Sequence, residues 1–365
     1  MRNTALIALI AYLFTSNKVK TQSFSIATSR YFILFALFQV LSSFMIWSRA
    51  GFETFNLWIR LGIVYFLIVK SVNNTSRVKA ICFMIILAIS YLAYYSITKF
   101  AIYYIPGIRA GGFGWYENSN DLSMILVAVI PLALLIANTS RSFIKKYIFI
   151  LLAIYFSFNV LFTGSRNGLL ALLIVGILSL LSSEQIIKPI RLALTILLIF
   201  SVVSVGVSNV LSRSDLSGLT GDDSSEHRKE QWKAGVRMML AKPFFGVGRG
   251  EFRYNAVDFG GIRGVQPHNT FIQVFAESGI PAGIFFTLFS VGPLFDAKKL
   301  LKHFNRNKLS KDYIITYKFL TISLAGFWVC AFFGNRYHAY ILYVLVGLLV
   351  SIREIIRKHL LQNEK

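Results

Sequence analysis

Apolar runs recur from one end of the chain to the other, separated by short clusters of basic and turn-forming residues. A helix crosses the hydrocarbon with about 20 predominantly apolar residues. Eleven runs read as such spans: Thr4 to Phe14, Tyr31 to Trp47, Phe55 to Val69, Ala80 to Thr98, Leu122 to Ala137, Ile144 to Phe162, Gly168 to Leu181, Ile190 to Val210, Asn269 to Phe295, Tyr313 to Phe333 and Tyr340 to Ile352. The first is short, and the third carries Arg60, whose long side chain can snorkel to the interface. The pattern predicts an all-α integral membrane protein of about eleven transmembrane helices, in a range of ten to twelve, with one large helical outer loop. It divides the chain into an N-terminal bundle of about eight helices (1–210), the outer loop (211–268), about three further helices (269–352) and a cytoplasmic tail (353–365).

Composition agrees with that class. Of 365 residues, 55% are hydrophobic and only 15% charged, yet 38 Lys and Arg against 16 Asp and Glu give a net charge of +22. A soluble nucleic-acid binder concentrates its basic residues on one polar face, whereas here they punctuate apolar runs. Alternate connectors differ sharply. One set, from Lys18 to the C-terminal tail, holds twenty-one basic residues; the other, apart from the long loop, holds six: Arg2, Arg49, Lys99, Arg109, Arg166 and Arg336. Lys and Arg beside a span are retained in the cytoplasm. The C-terminus is therefore expected inside, the N-terminus outside if all eleven spans form, and the long loop outside. The charge is a topology signal and needs no nucleic-acid partner. Cys82 and Cys330 fall within apolar runs and read as small buried hydrophobes, and no metal-ligand spacing occurs. The Met1 end lacks a signal-peptide pattern and reads as a retained span.

The outer loop is the one extramembrane region large enough to shape a site. Gly218 to Asp223 reads as a turn, and Asp223 with Glu226 as a capping-box variant opening a helix over 224–241, before Pro243. At about 100° per residue, Arg228, Trp232, Val236 and Met239 share one face of that helix, with Lys229, Lys233 and Arg237 on the solvated side. Arg228 reads equally as an interface anchor packed on Trp232 or as a phosphate clamp, since its rigid fork of donors matches phosphate oxygens. Gly246-Val-Gly-Arg-Gly250 looks like a nucleotide loop, but no strand precedes it, so it reads as a flexible turn. Asp222 and Asp223 are better explained by capping than by a metal.

His268 lies where the loop meets the next span, as an interfacial polar residue or a functional one. Glu277 is nine residues further on, about 13.5 Å deeper by helical rise, where a carboxylate must be paired, protonated or wet. A continuous helix places it about 180° around from His268, against direct contact. A break at Gly279-Ile-Pro-Ala-Gly283 would instead leave it in a water-filled vestibule as a structural hydrogen-bonder. Arg166, in Thr163-Gly-Ser-Arg-Asn-Gly168, is a turn residue or an anion ligand, and Arg336 carries the same reading at lower weight.

Three segments together, Thr163-Gly-Ser-Arg-Asn-Gly-Leu169, His227-Arg-Lys-Glu-Gln-Trp232 with Lys242-Pro-Phe-Phe-Gly-Val-Gly-Arg-Gly-Glu-Phe252, and His268-Asn-Thr-Phe-Ile-Gln-Val-Phe-Ala-Glu-Ser-Gly279, closely resemble the bacterial O-antigen ligase and O-antigen polymerase superfamily. The resemblance covers about Gly114 to Gly283, including Asn118-Ser-Asn-Asp121. It implies a GT-C-type membrane glycosyltransferase, working without metal or cofactor at the outer face of the bacterial cytoplasmic membrane, in O-antigen, capsule or exopolysaccharide synthesis. Its donor would be a glycan on a polyprenyl diphosphate, and its acceptor another glycan, a lipid A core or a protein. The resemblance assigns the donor diphosphate to Arg166 and Arg228 and the catalytic base to His268, histidine being the side chain most often used to take a proton near neutral pH. Asn269, Trp232, Glu277 and Arg336 are candidate supporting residues. Family ligases commonly show twelve spans with both ends cytoplasmic, so eleven spans would mean an N-terminal one is missing or not needed. The rival from another class is a transporter of lipid-linked sugars, which would carry ionisable or broken-helix sites near the midplane of both halves.

Overall fold

The computed structural model describes residues 26–46, 51–102, 109–182, 224–295, 297, 300–302 and 309–363. Ten helices organise them: α1 (Ile26–Met45), α2 (Gly51–Ser71), α3 (Thr75–Ile102), α4 (Ser119–Thr139), α5 (Phe143–Phe162), α6 (Arg166–Ser182), α7 (Ser224–Ala241), α8 (Thr270–Ser290), α9 (Lys311–Ala331) and α10 (Tyr340–Asn363). No strand occurs among the described residues. Seven of the ten, α1 to α5, α8 and α9, are long and apolar enough to cross a membrane, and α6 is a shorter apolar helix. The described residues are all-helical apart from turns and connectors, and the spans make the chain a multi-pass membrane protein. Nine of the eleven expected spans fall in these helices; Thr4–Phe14 and Ile190–Val210 lie outside the described residues, as do the turn at 218–223 and Asp222 and Asp223. The last helix does not stop at Ile352. It continues to Asn363, where Ile355 and Ile356 are buried and Glu354 pairs with Arg357 at 3.2 Å, so 353–363 is helical.

The helices form two units. One contains α3 to α6 and α9, with α4 at its centre: every residue from Leu122 to Ala133 is buried. A helix apolar on all sides is a core helix, and α3, α5, α6 and α9 surround it. Close approach is set by small residues. A Cβ at Gly326 of α9 would stand 2.5 Å from Val175 and 3.1 Å from Val127. The outward faces of α3 and α5 stay apolar, with Met84, Leu87, Leu151 and Phe158 exposed, as lipid contact requires. Hydroxyls on these faces return to their own helix: Ser90 donates to the Ile86 carbonyl and Ser157 to Ala153, both at 2.8 Å. Cys82 and Cys330 are buried in α3 and α9, as their apolar context predicts.

The other unit contains α1, α2, α7, α8 and α10. Its core is aromatic: Phe32 and Phe35 of α1, Trp58 and Tyr65 of α2, Phe286 and Phe289 of α8, and Tyr343 of α10. Phe35 lies 4.8 Å from Trp58 and 4.9 Å from Phe286, edge-on or tilted, the arrangement that ring quadrupoles favour. Helix α8 is broken at Gly279, where φ is 84° and ψ 174°. Into that break closes the segment 243–250. Val247 N–H donates to the Ala276 carbonyl and Gly248 N–H to the Glu277 carbonyl, both at 2.9 Å, and Ile280 N–H donates to Pro243 at 2.7 Å. The Gly-rich segment is thus not a flexible turn. It supplies partners for backbone groups that the break exposes, a necessity where no water can do so.

Two glycines permit this approach. A Cβ at Gly246 would stand 2.4 Å from the Ala276 carbonyl oxygen, and one at Gly279 2.3 Å from that of Phe244; both residues have positive φ. Gly246→Ala and Gly279→Ala should each lose about 1–2 kcal/mol from the left-handed backbone alone, and more from overlap. Gly292→Ala, which meets nothing within 4 Å, should be neutral. Thermal unfolding in detergent reads the difference, and equal midpoints for all three would mean that the two segments are not tightly apposed.

Candidate functional site

In the α7–α8 unit, α7 presents a narrower buried face than the sequence suggests. Gln231, Ala234, Gly235 and Met238 are buried; Arg228, Trp232 and Met239 are half-buried on its flank, and Val236 is exposed. The rotation follows from Gly235, where a Cβ would lie 2.3 Å from Ile272. α7 settles on its smallest residues, and Val236 turns outward.

That packing fixes His268. The Trp232 indole N–H donates to the Pro267 carbonyl at 2.7 Å, and Asn269 caps α8 by accepting the N–H groups of Phe271 and Ile272, each at 3.0 Å. Between these two anchors His268 adopts a φ of 48°, the left-handed region that side chains other than glycine avoid. A conformation of this kind persists only where its surroundings enforce it, and such residues cluster at functional sites. The Asn335 side-chain amide lies 3.5 Å from His268 Nδ1. Asn335 belongs to the connector from α9 to α10, which is pinned to the first turn of α8: Thr270 Oγ1 donates to the Gly334 carbonyl at 2.9 Å and accepts from the Arg336 N–H at 3.2 Å. Arg336 is thereby held near the start of α8 by its backbone.

Glu277 is fully buried. The helix breaks two residues after it, so it keeps its helical position, and its partners are others than His268. Gln273 Nε2 donates to Oε1 at 3.2 Å and the Tyr337 hydroxyl to Oε2 at 3.0 Å; the Gly250 N–H donates as well, and the Arg249 charge acts on the carboxylate. Arg249 also bonds Thr54 Oγ1 at 3.2 Å. Among the described residues Glu277 is closed in by these partners and has no exposed surface. It is the hub that ties the 243–250 segment, α8 and the connector together. Arg249, Tyr337 and Asn335 were not singled out in the sequence; Arg249 lay in a glycine motif that resembled a turn, and nothing local marked the other two. In the connector, burial and the neighbouring Glu277 raise the Tyr337 hydroxyl well above its ordinary value. Burial first, then the charges of Arg249 and Arg336, hold His338 down to about 3.

Arg166 stands in the other unit. Gly164, at φ 54°, turns the chain, Ser165 Oγ accepts the Gly168 N–H at 3.2 Å, and α6 begins at Arg166. A Cβ at Gly168 would lie 2.6 Å from Ser123 of α4, so both glycines of the motif have steric reasons. Asn120 accepts from Ser165 Oγ at 2.8 Å and from Arg109 at 2.9 Å, and Arg109 also donates to the Thr163 carbonyl at 2.8 Å. The Asn118-Ser-Asn-Asp121 segment thus caps α4 through Asn118 and braces the Arg166 turn through Asn120. Arg166 itself is exposed and, among the described residues, makes no side-chain hydrogen bond or ion pair. A cation at a helix N-terminus opposes the helix dipole, so helix stability does not explain it. No group of three or more His, Cys, Asp or Glu positioned for a metal occurs among the described residues.

Tyr337→Phe removes one of the buried donors to Glu277 and should cost about 1–3 kcal/mol in denaturant unfolding; an unchanged midpoint would mean that the carboxylate does not depend on it. For His338, the folded value lies below that of the unfolded chain, so the unfolded state takes up the proton first on acidification. Its contribution to stability is present above about pH 6.5 and is lost between there and about pH 3. His338→Gln should therefore flatten the acid side of the profile of melting temperature against pH.

No curated protein matches the chain. Residues 148–287, which contain the Arg166 turn, α7, the 243–250 segment, His268 and Glu277, match the family model of the O-antigen ligase domain. With this ordered set of motifs, that match supports placing the chain in the O-antigen ligase and polymerase superfamily, with a function of that type in surface-polysaccharide biosynthesis.

Proposed function

We propose that the protein is a glycosyltransferase that moves a glycan from a polyprenyl-diphosphate carrier to an acceptor hydroxyl at the outer face of the bacterial cytoplasmic membrane. The observation that carries this reading is the enforced geometry of His268, a left-handed residue between a capped helix start and a gripped Pro267 carbonyl. A merely interfacial histidine has no need of such a backbone.

In the reaction the acceptor oxygen attacks the anomeric carbon, the bond from that carbon to the phosphate oxygen breaks, and the hydroxyl proton passes to His268. The polyprenyl diphosphate leaves with the bonding pair, and a single displacement inverts the anomeric centre. Arg166 and Arg228 are the groups we assign to the diphosphate, where fixed guanidinium donors meet growing negative charge. Two guanidinium groups supply the positive charge, so the reading calls for neither metal nor cofactor. Glu277, Tyr337 and Asn335 act by holding the connector against α8 beside His268. The transporter reading is less well supported, because it gives no role to the His268 backbone.

Arg166→Ala, Arg228→Ala and His268→Ala should each lower transfer at least a hundredfold while the protein still inserts. Arg166→Lys should recover little, since a point charge does not reproduce a bidentate fork. The assay is the purified protein in detergent with a polyprenyl-diphosphate oligosaccharide, alone and then with lipid A core. A ladder without core identifies a polymerase, and transfer only with core identifies a ligase. Wild-type turnover by His268→Ala would remove the proposed base.

A further inference from the structure

The unit built on α4 has a second polar end, about 31 Å from the Arg166 turn by the rise of the 21-residue α4. There a cavity of about 610 Å³ opens between the first turns of α3 and α9 and the end of α4. Ligand cavities commonly measure about 300–1,000 Å³. Its polar lining includes Thr75, Ser76, Lys79, Arg141, Lys311 and Asp312. The one carboxylate is engaged by Lys79, with Nζ 2.6 Å from Oδ1 of Asp312. Three cations against one anion leave the cavity positively charged. Its chemistry suits a phosphate.

The surface beside it suits a lipid chain. On α3, Ser76 lines the cavity, and Phe83 and Leu87 follow at i+7 and i+11, within about 20° of Ser76 around the helix. Phe83 is 45% and Leu87 57% exposed, so an apolar stripe runs from the cavity along the membrane-facing side. Ordinary basic residues at a membrane interface need no such cavity, and here the lipid-facing side of α3 begins at its rim. We infer that this cavity binds the phosphate headgroup of an anionic phospholipid, with an acyl chain lying along Phe83 and Leu87. Basic pockets between membrane helices take lipid headgroups in this way. Its lining shares no residue with the groups assigned to glycan transfer.

Native mass spectrometry of the full protein, titrated with phosphatidylglycerol or phosphatidylcholine, tests it. Phosphatidylglycerol should bind at least tenfold more tightly than phosphatidylcholine. Arg141→Ala with Lys311→Ala should weaken it about tenfold. Lys145→Ala with Lys146→Ala, which removes equal charge from the first turn of α5 outside the cavity lining, should leave it unchanged. Leu87→Ser should weaken the lipid through its chain, and inorganic phosphate at millimolar concentration should not displace it. Arg141, Lys145 and Lys311 lie at exposed positions and Lys146 is half-buried; retained glycan transfer or an unchanged melting temperature confirms that each variant is folded. Equal losses in the two double variants, equal binding of the two lipids, or displacement by phosphate alone would each overturn the proposal.

Discussion

Glu277 is a carboxylate inside a membrane-spanning helix, where it persists only if donors surround it. Those donors come from separate stretches of chain: Gln273 one turn earlier, Gly250 from the 243–250 segment and Tyr337 from the last connector, with Arg249 adding its charge. Because each donor must arrive together, the carboxylate fixes three pieces of backbone relative to one another. His268 lies among them, since the connector that brings Tyr337 to Glu277 also brings Asn335 to the imidazole. A polar hub in hydrocarbon thus does for this unit what a hydrophobic core does for a soluble domain. It also demands uniqueness, because a half-satisfied network is worse than none.

The break in α8 follows the same logic. Opening a helix within a membrane exposes backbone groups that have no water to turn to, and the 243–250 segment answers them with its own N–H and C=O groups. The two backbones approach so closely that neither Gly246 nor Gly279 can carry a side chain. In the α4 unit, glycine again marks where chains meet, at Gly168 against Ser123 and at Gly326 against Val127 and Val175. The Arg166 turn is braced from below by Asn120, Ser165 and Arg109, which leaves the Arg166 side chain exposed at the start of its helix. Both units therefore hold a candidate side chain on a braced backbone, as precise positioning of charge requires.

The sequence by itself determined the class and most of the helices, because the cost of unpaired backbone in hydrocarbon forces long apolar runs into helices whatever surrounds them. It also marked His268, Arg166, Arg228 and Glu277, since charged or titratable groups beside or within such runs stand out locally. Only the tertiary structure decided what those groups touch. Val236 turns outward because Gly235 must face Ile272, a contact between residues 37 positions apart. The glycine segment looked like a mobile turn because its partner, the break in α8, lies some thirty residues downstream. Tyr337 and Asn335 carried no local signal at all, for their roles exist only where the connector meets α8, sixty or more residues away. Period and charge are properties of neighbours along the chain and are legible there; hydrogen-bond satisfaction in a membrane is a property of neighbours in space, and the fold alone supplies them.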